Sequence, residues 1–209
     1  LVALGVLSNV TPPGKPVTLA SDESLLTFEP GGQLEIVSPP RASAATALRD
    51  IEHVETLLDG ALTWRGIRRA NHGMTPWQGV NEIAIQTPLP RYMAMQQYFN
   101  AIGPHGERMM RLSYALQINL GFGAPHQIEP RWRLSNLMSP VLIGMFANSP
   151  MTEGKVTGWK STRARIVAAM DPSRTGLLRG RPAVESYLDF ALDAGVLVRR
   201  TSNGYIPGS

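Results

Sequence analysis

The first residues that could do chemistry form a polar strand face after a glycine turn. Residues 28–36 read FEPGGQLEI, and after the Gly-Gly pair Gln33 and Glu35 alternate with Leu34 and Ile36. Side chains two residues apart on a strand share a face, so the amide and the carboxylate point to one side. Mg²⁺ takes such oxygen ligands and commonly bridges to nucleotide phosphates. The alternative is an ordinary solvated face of an edge hairpin.

A second segment repeats this pattern. Gln117 and Asn119 alternate with three aliphatic residues within residues 114–122. Such alternation predicts a strand with polar side chains on one face. We therefore expect two polar strands to line a groove on a sheet that could hold Mg²⁺ and a nucleotide.

Cations for an anionic ligand are concentrated in the second half of the chain. Residues 151–181 contain seven Lys and Arg residues against two acidic ones, an excess of five positive charges. Arg163 and Arg174 lie in this segment, and Arg91 precedes it. A guanidinium offers a planar fork that matches carboxylates and phosphates, so we expect these arginines at the rim of the groove. For each of them, a surface salt bridge is the alternative.

The elements that must position these residues follow from hydrophobic periodicity and turn residues. Alternation predicts strands over 17–19, 25–28 and 34–37, and residues 66–90 are expected to form a loop region. Apolar residues at three- and four-residue steps predict helices. These helices cover residues 48–64, 91–102, 107–113, 131–147, 159–171 and 182–193.

The order of these elements predicts the fold class. It lacks the regular βαβ alternation of a parallel sheet, which favours an α+β fold, with an antiparallel sheet and helices packed on one side. The chain has 209 residues, a length that suits one large domain, and we predict a single domain over residues 1–209.

The composition excludes several classes of protein. With 43% hydrophobic and 17% charged residues, the chain can bury a core and is not of the disordered type. The absence of cysteine excludes disulfides and thiolate sites and favours a reducing compartment such as the cytoplasm. The longest apolar run, residues 137–147, is about half of the roughly 20 residues that a membrane-spanning helix needs. We also predict no nucleic-acid partner, because the basic segment has a single aromatic residue and no recognisable binding module.

Six sequence blocks occur in the order seen in a known enzyme family. They are 28–38 (FEPGGQLEIVS), 91–99 (RYMAMQQYF), 106–122 (GERMMRLSYALQINLGF), 146–154 (FANSPMTEG), 157–163 (TGWKSTR) and 171–176 (DPSRTG). Together they resemble glutamate-cysteine ligases of the plant and proteobacterial type, including the actinobacterial branch linked to ergothioneine. The resemblance extends over residues 17–193.

This resemblance implies a fold and a reaction. The fold is like the catalytic domain of glutamine synthetase, in which an antiparallel sheet forms a groove for ATP and Mg²⁺. The reaction joins the γ-carboxylate of glutamate to the amine of cysteine through γ-glutamyl phosphate, for glutathione or ergothioneine biosynthesis. A carboxylate is a poor electrophile at neutral pH, so ATP converts it to an acyl phosphate, and positioning and charge neutralisation catalyse the transfer.

The matching positions also imply roles for particular residues. Arg91 and Arg163 match the catalytic arginines that bind glutamate. Trp159 and Ser161 match the loop and helix entrance next to the second arginine and are expected to bind substrate with it. The remaining matches are the metal ligands Glu35 and Glu29 and the nucleotide-binding residues Gln33, Gln117 and Asn119. Arg174, chosen above as a cation at the rim of the groove, is also expected to bind nucleotide.

Departures from the family pattern leave alternatives open. The family's Q-x-N strand usually continues Leu-Asp, but Gly121 follows Leu120 here. The resemblance starts after the family's first strand, which carries G-x-E-x-E metal ligands, and stops before its C-terminal part, so we predict a truncated catalytic domain. The alternatives are a related carboxylate-amine ligase with another amine acceptor and a noncatalytic domain that binds nucleotide or glutamate.

Overall fold

The computed structural model describes residues 8–11, 18–20, 24–175 and 183–208. The chain divides into two compact units. The first comprises residues 1–71 and 85–87, and the second comprises residues 72–84 and 88–209. The single domain predicted over residues 1–209 stays a prediction.

The first unit contains a four-stranded antiparallel sheet. Its strands, in spatial order, are β1 (Ser8–Asn9), β2 (Leu19–Ala20), β3 (Leu25–Phe28) and β4 (Leu34–Val37). The bounds of β3 and β4 are those predicted from the alternation. Of the strand predicted over 17–19, residue 17 lies outside the described residues, Thr18 is not in a strand, and β2 begins at Leu19.

The turn between β3 and β4 depends on glycine. The backbone N–H of Gly32 donates to the carbonyl oxygen of Glu29 at 2.9 Å, and Gly32 adopts a φ of 84°. A Cβ at this position would lie 2.9 Å from Cγ of Gln86. The backbone N–H of Gln86 donates to the carbonyl of Pro30 at 2.7 Å, so residues 85–87 lie against the turn. A side chain at Gly32 would therefore meet both backbone strain and a close neighbour.

Helix α1 (Ala44–Trp64) covers one face of this sheet. It begins four residues earlier than the periodicity predicts, because the side chain of Ser43 caps it and accepts a hydrogen bond from the backbone N–H of Thr46. The core of the unit consists of Leu26, Val54 and Leu58, surrounded by the partly buried Leu19, Ile36 and Leu62. An antiparallel sheet with a helix on one face confirms the α+β prediction at this level.

The second unit is mainly helical. Its helices are α2 (Pro90–Ile102), α3 (His105–Leu112), α4 (Pro125–Met145), α5 (Thr162–Met170) and α6 (Ala183–Asp193). Two antiparallel hairpins complete it, β5 (Met151–Thr152) with β6 (Lys155–Val156), and β7 (Val198–Thr201) with β8 (Gly204–Pro207).

Several helix bounds differ from the prediction. Helix α4 begins six residues early, because Pro125 takes the first helical position, where the missing N–H is not needed. Helix α5 begins three residues late, because Ser161 is its N-cap. Helix α6 is described from Ala183, since residue 182 lies outside the described residues. Of the helices described, none combines the length and the apolar character that crossing a bilayer requires.

Helix α3 packs against both α2 and α5. Gly106 on α3 lies directly against Phe99 on α2, where an added Cβ would overlap the Phe99 side chain. On its other side, α3 contributes to the core of the unit. This core consists of Met74, Leu112 and Ile166, with Val80, Ile83 and Met109 packed around it.

The predicted strand over residues 114–122 is wrong. These residues form irregular structure, and the isolated bridge between Met74 and Ser113 is the last backbone pairing before them. A strand needs a neighbour that bonds its amides and carbonyls, and no described residue pairs with 115–122. The aliphatic side chains of the alternating pattern are consequently exposed, by 82% at Leu116, 71% at Ile118 and 76% at Leu120.

Candidate substrate-binding site

In the first unit, the β3–β4 hairpin presents a carboxylate on the sheet face away from the core. Glu35 lies opposite Thr27 in the antiparallel register, and Oγ1 of Thr27 donates to Oε2 of Glu35 at 2.7 Å. Gln33 is buried and lies just before the first residue of β4, so the face that it was predicted to share with Glu35 stays a prediction. Glu29 is exposed at the end of β3, and its backbone N–H donates to the carbonyl of Gln33 at 2.9 Å. The metal-binding role of Glu29 and the nucleotide-binding role of Gln33 stay predictions.

The described residues can supply part of a magnesium site. Within these ranges no group of three or more His, Cys, Asp or Glu side chains could hold a metal ion. Mg²⁺ keeps several waters and usually binds through one or two carboxylates together with substrate phosphates. The half-buried Glu35 fits as one such ligand. Water and phosphate oxygens can supply the others, so the protein need not provide every ligand.

In the second unit, Arg91 is the second residue of α2, directly after Pro90. Its guanidinium lies over the ring of Tyr92, 4.5 Å from the centroid, and Nη2 donates to the Tyr92 hydroxyl at 2.8 Å. Leu89 at the N-cap provides no side-chain hydrogen bond to the first amides of the helix. The Arg91 guanidinium thus lies exposed at an uncapped helix N-terminus.

Arg163 occupies the corresponding position in α5, directly after Thr162. It is half-buried, and the loss of water on burial lowers the pKa of its guanidinium. Its Nε is buried and has no hydrogen-bond partner in the structure. Its backbone N–H donates to Oγ of Ser149 at 3.1 Å, and Ser149 is itself 2% exposed. A partly desolvated cation with an unused donor therefore lies at the start of α5.

Both arginines place positive charge where the helix dipole is also positive. Among the described residues, neither Arg91 nor Arg163 forms an ion pair. The repulsion at each helix end is relieved when an anion binds there, since backbone amides and the guanidinium can both donate to it. Each of the two helix ends suits a carboxylate or a phosphate.

The residues predicted beside Arg163 have separate environments. Oγ of Ser161 accepts a hydrogen bond from the backbone N–H of Ala164 at 3.2 Å and so caps α5. Trp159 is exposed, and the guanidinium of Arg165 lies 5.3 Å from its ring centroid. Ser161 therefore stabilises the helix that carries Arg163, and Trp159 lies before the start of the helix predicted to include it.

Gln117 and Asn119 are exposed on the irregular segment 114–122. The expected groove between two polar strands required this segment to be a strand, and residues 114–122 do not form one. The nucleotide-binding role of both residues stays a prediction.

Arg174 is engaged by its own chain. Its Nε donates to Oδ2 of Asp171 at 2.9 Å, and its Nη2 donates to the backbone carbonyl of Gly195. These bonds hold the guanidinium in a local structural role, and its contact with a nucleotide stays a prediction.

Sequence reasoning missed a buried cluster around Asp171, which is 3% exposed. Its Oδ1 accepts from the backbone N–H of Ser173 at 3.0 Å and from its Oγ at 2.7 Å. Its Oδ2 accepts from the hydroxyl of Tyr98 at 3.1 Å. The Asp-Pro-Ser sequence is typical of turns in which an Asp side chain accepts a hydrogen bond from the residue two positions later. This signal could have indicated the contact between Asp171 and Ser173, but not the one with Tyr98.

Comparison with known proteins identifies the family of the chain. Residues 6–205 match the model of glutamate-cysteine ligase family 2 (GCS2). The chain belongs to this family. Similar proteins include the glutamate-cysteine ligase EgtA of Mycobacterium tuberculosis strain H37Rv, which is 33% identical over 183 residues, or 85% of this chain and 42% of the relative.

Other relatives of this GCS2 chain come from Mycolicibacterium and from plants. EgtA of Mycolicibacterium smegmatis is 33% identical over 181 residues, covering 84% of this chain and 42% of the relative. The chloroplastic glutamate-cysteine ligase of Arabidopsis thaliana is 30% identical over 199 residues, covering 92% of this chain and 37% of the relative. The GCS2 chain thus spans about two fifths of the length of the curated relatives that it matches.

Proposed function

We propose that this GCS2 chain contributes to ATP-dependent ligation of the glutamate γ-carboxylate to the amine of cysteine, through γ-glutamyl phosphate. Its ligands are then small molecules, namely glutamate, cysteine and ATP with Mg²⁺. The fold that this function calls for is like the catalytic domain of glutamine synthetase. Family membership and the names of the relatives support this proposal.

The observation that carries the proposal is the state of Arg163. A guanidinium that has lost part of its water without gaining a counter-ion is unfavourable unless an anionic ligand completes the site. Arg163 is held at the N-terminus of α5 by its backbone bond to Ser149, and the adjacent amides favour negative charge. In our proposal Arg163 binds a carboxylate of glutamate, and Arg91 at the start of α2 supplies the second cation.

The charges of the chain match what the reaction needs. Phosphoryl transfer from ATP to a carboxylate brings several negative oxygens together, so positioned cations lower its barrier. Mg²⁺, when bound, would neutralise phosphate oxygens, and Glu35 is the residue of this chain that would hold it. Arg91 and Arg163 would orient the glutamate carboxylates, and burial around Arg163 would strengthen its interaction by excluding water.

A second candidate function is binding of glutamate or nucleotide without turnover. The observation that favours it is that Gly121 stands where the family's Q-x-N-L-D pattern usually has an aspartate. An assay of ADP release separates the two candidates, with glutamate, ATP, Mg²⁺ and a panel of amino acids as acceptors. Ligase activity requires ADP release that depends on both glutamate and an amine, with cysteine the expected acceptor. Glutamate binding without ADP release supports the second candidate.

Replacing Arg163 tests its assignment to glutamate. Arg163→Lys keeps the charge but removes the fork, so a bound carboxylate loses one of two parallel hydrogen bonds. A buried carboxylate left partly unpaired costs about 2 to 3 kcal/mol, which corresponds to a rise of roughly 30- to 150-fold in the dissociation constant for glutamate. Titration calorimetry with glutamate and with ATP measures the two constants separately.

Arg165→Lys is the matched control for this variant. Arg165 is exposed and stacks on Trp159, so its replacement should leave glutamate affinity within about twofold of the parent, as for a surface charge. A larger loss for ATP than for glutamate in Arg163→Lys would make Arg163 a phosphate ligand and contradict the assignment.

A further inference from the structure

A hydrogen-bonded cluster around the buried Asp171 joins helix α2 to the end of helix α5. It consists of Tyr98, Asp171, Ser173 and Arg174, and we call it the Asp171 clamp. Tyr98 lies on α2 and is 9% exposed, and Asp171 directly follows α5. The Tyr98 hydroxyl donates to Oδ2 of Asp171 at 3.1 Å, across 73 residues of sequence. This bond is a direct polar link between the two helices.

The clamp uses both oxygens of the Asp171 carboxylate. Oδ1 accepts two hydrogen bonds from Ser173, and Oδ2 accepts from Arg174 as well as from Tyr98. Oγ of Ser173 in turn accepts from the backbone N–H of Gly195 at 3.1 Å. A buried carboxylate that accepts several hydrogen bonds holds its partners in a defined geometry, because these bonds are strong and directional.

Helix α3 also connects α2 with α5, but through apolar contacts. Gly106 of α3 meets Phe99 of α2, and Leu112 of α3 meets Ile166 of α5 in the core. Apolar contact is not directional, so it holds helices together more firmly than it fixes their relative position along their axes. The clamp supplies the directional contact that this packing lacks.

The clamp lies about two helical turns from each arginine of the proposed site. Arg91 precedes Tyr98 by seven residues, and Arg163 precedes Asp171 by eight. At 1.5 Å per residue, these separations are roughly 10 and 12 Å along the helices. Both arginines lie on the N-terminal side of the clamp, so a shift of one helix against the other changes the distance between the two guanidinium groups.

We propose that Asp171 is a positioning residue for glutamate binding. By holding Tyr98, it sets α2 relative to α5 and thereby sets Arg91 relative to Arg163. This inference rests on the proposed function, in which the two arginines bind one glutamate. Asp171 itself touches no substrate in this arrangement and acts only through the helices.

The absence of cysteine from the chain allows a direct distance measurement. Met93 on α2 and Ala169 on α5 are exposed and lie outside the clamp. Spin labels on Met93→Cys and Ala169→Cys report the separation of the two helices by pulsed electron paramagnetic resonance. Removing the hydroxyl with Tyr98→Phe should shift or broaden the label distance by about 1 Å, a displacement large enough to disturb a binding geometry.

Glutamate affinity provides the second readout. In Tyr98→Phe and in Asp171→Asn, we expect the dissociation constant for glutamate to rise about 10- to 100-fold. A displacement of binding groups by about 1 Å can cause a loss of this size. The constant for ATP should change little. Because Tyr98→Phe removes the donor and Asp171→Asn weakens the acceptor of the same bond, the double variant should show little further change in glutamate affinity beyond the larger single effect.

Matched controls separate positioning from general loss of structure. Tyr187→Phe removes a hydroxyl from an exposed tyrosine on α6, and Asp193→Asn removes the charge of an exposed aspartate at the end of the same helix. Both should leave the label distance and glutamate affinity unchanged. A purely structural role of Asp171 would lower the melting temperature without this selective loss of glutamate binding.

The outcomes distinguish the inference from the function on which it rests. An unchanged label distance in Tyr98→Phe overturns the inference, and so does a changed distance with unchanged glutamate affinity. If the parent chain fails to bind glutamate, the proposed function is wrong for this chain. In that case the label distances still decide whether the clamp sets the helix positions.

Discussion

Two half-buried charged groups, Arg163 and Glu35, carry the proposed chemistry. Burial lowers the pKa of the Arg163 guanidinium from its ordinary value, because the charged group has lost part of its hydration. Glu35 has one oxygen occupied by the hydroxyl of Thr27. Its second oxygen is the one that we expect to face a metal ion.

The role of Glu35 can be tested through magnesium dependence. Glu35→Gln keeps the size of the side chain and removes one charged oxygen ligand, so the Mg²⁺ concentration needed for half-maximal ATP binding should rise by about tenfold or more. Titration of ATP binding against Mg²⁺ measures this shift. Glu52→Gln, which changes an exposed carboxylate on α1, serves as the control. Equal magnesium dependence in parent and Glu35→Gln would refute the assignment.

The Asp171 carboxylate should also make stability depend on pH. Burial opposes its ionisation, but hydrogen bonds from Ser173 and Tyr98 and the charge of Arg174 outweigh burial and lower its pKa below 3.8. Since the pKa is lower in the folded state than in the unfolded state, this carboxylate stabilises the fold above pH 3.8 and loses the effect as pH falls through its folded pKa.

Asp171→Asn should therefore be less stable than the parent at pH 7, by about 1 to 3 kcal/mol in the free energy of unfolding. This difference should shrink as the pH falls below 3.8, where protonation of the parent removes the same charge. Urea unfolding of both proteins over a series of pH values measures it. A difference that stays constant down to acid pH would show that the ionised form of Asp171 is not what stabilises the fold.

At the scale of elements, sequence patterns within a short segment predict helices and strands, whereas pairing between distant segments is not visible in them. The bounds of β3 and β4 follow from alternation on both sides of a Gly-Gly turn, all within 13 residues. The strand predicted over 114–122 has the same alternation, but pairing depends on a neighbour that the local sequence does not reveal. Helix starts were missed where a cap or a proline, at Ser43, Ser161 and Pro125, decides the boundary.

The candidate site shows the same division. Arg91 and Arg163 could be chosen from their residue type and from the family resemblance, and the structure places each at a helix N-terminus. The bond between Tyr98 and Asp171 could not be predicted, because it joins residues 73 positions apart and depends on how the helices pack. Burial of the Arg163 guanidinium likewise depends on tertiary packing.

The contact between α2 and α3 leads to a stability prediction at Gly106. Alanine is favoured over glycine within helices by about 1 kcal/mol, so propensity alone predicts that Gly106→Ala stabilises the protein. A Cβ there would instead overlap the side chain of Phe99, and overpacking of this kind destabilises by about 1 to 3 kcal/mol. Thermal unfolding of the variant shows whether its melting temperature rises or falls relative to the parent.

Gly60 provides the control for this prediction. It lies within α1, and a Cβ added there would have no neighbouring atom within 4 Å, so Gly60→Ala should stabilise the protein by up to about 1 kcal/mol. Stabilisation by both substitutions would contradict the close contact between α2 and α3.

At the scale of the whole molecule, the second unit exposes many large apolar side chains. Helix α4 has no buried residue, although most of its second half is apolar. The exposed large side chains of α4 and of the residue that follows it are Leu134, Leu137, Met138, Val141, Leu142, Ile143, Met145 and Phe146. So many exposed apolar side chains on one helix are unusual for a monomeric protein. A surface of this kind is expected to bind apolar probes.

We predict that the chain binds an environment-sensitive apolar dye such as anilinonaphthalene sulfonate. Leu137 and Val141 lie one helical turn apart on α4, so Leu137→Lys with Val141→Lys places two charges on one face and should lower dye fluorescence. Leu48→Lys, at an exposed leucine of α1, should change it less. Equal fluorescence from the parent and the α4 variant would show that the dye does not bind this helix.

Helix α4 also affects how the protein responds to different salts. The chain has a formal net charge of +4, but it has no ionisable side chain from residue 134 to residue 152. Screening of charges by salt therefore has little effect on this segment. Ammonium sulfate acts differently, because it is excluded from protein surface and strengthens apolar association. The protein should therefore be retained by a phenyl resin at high ammonium sulfate and released as that salt is withdrawn.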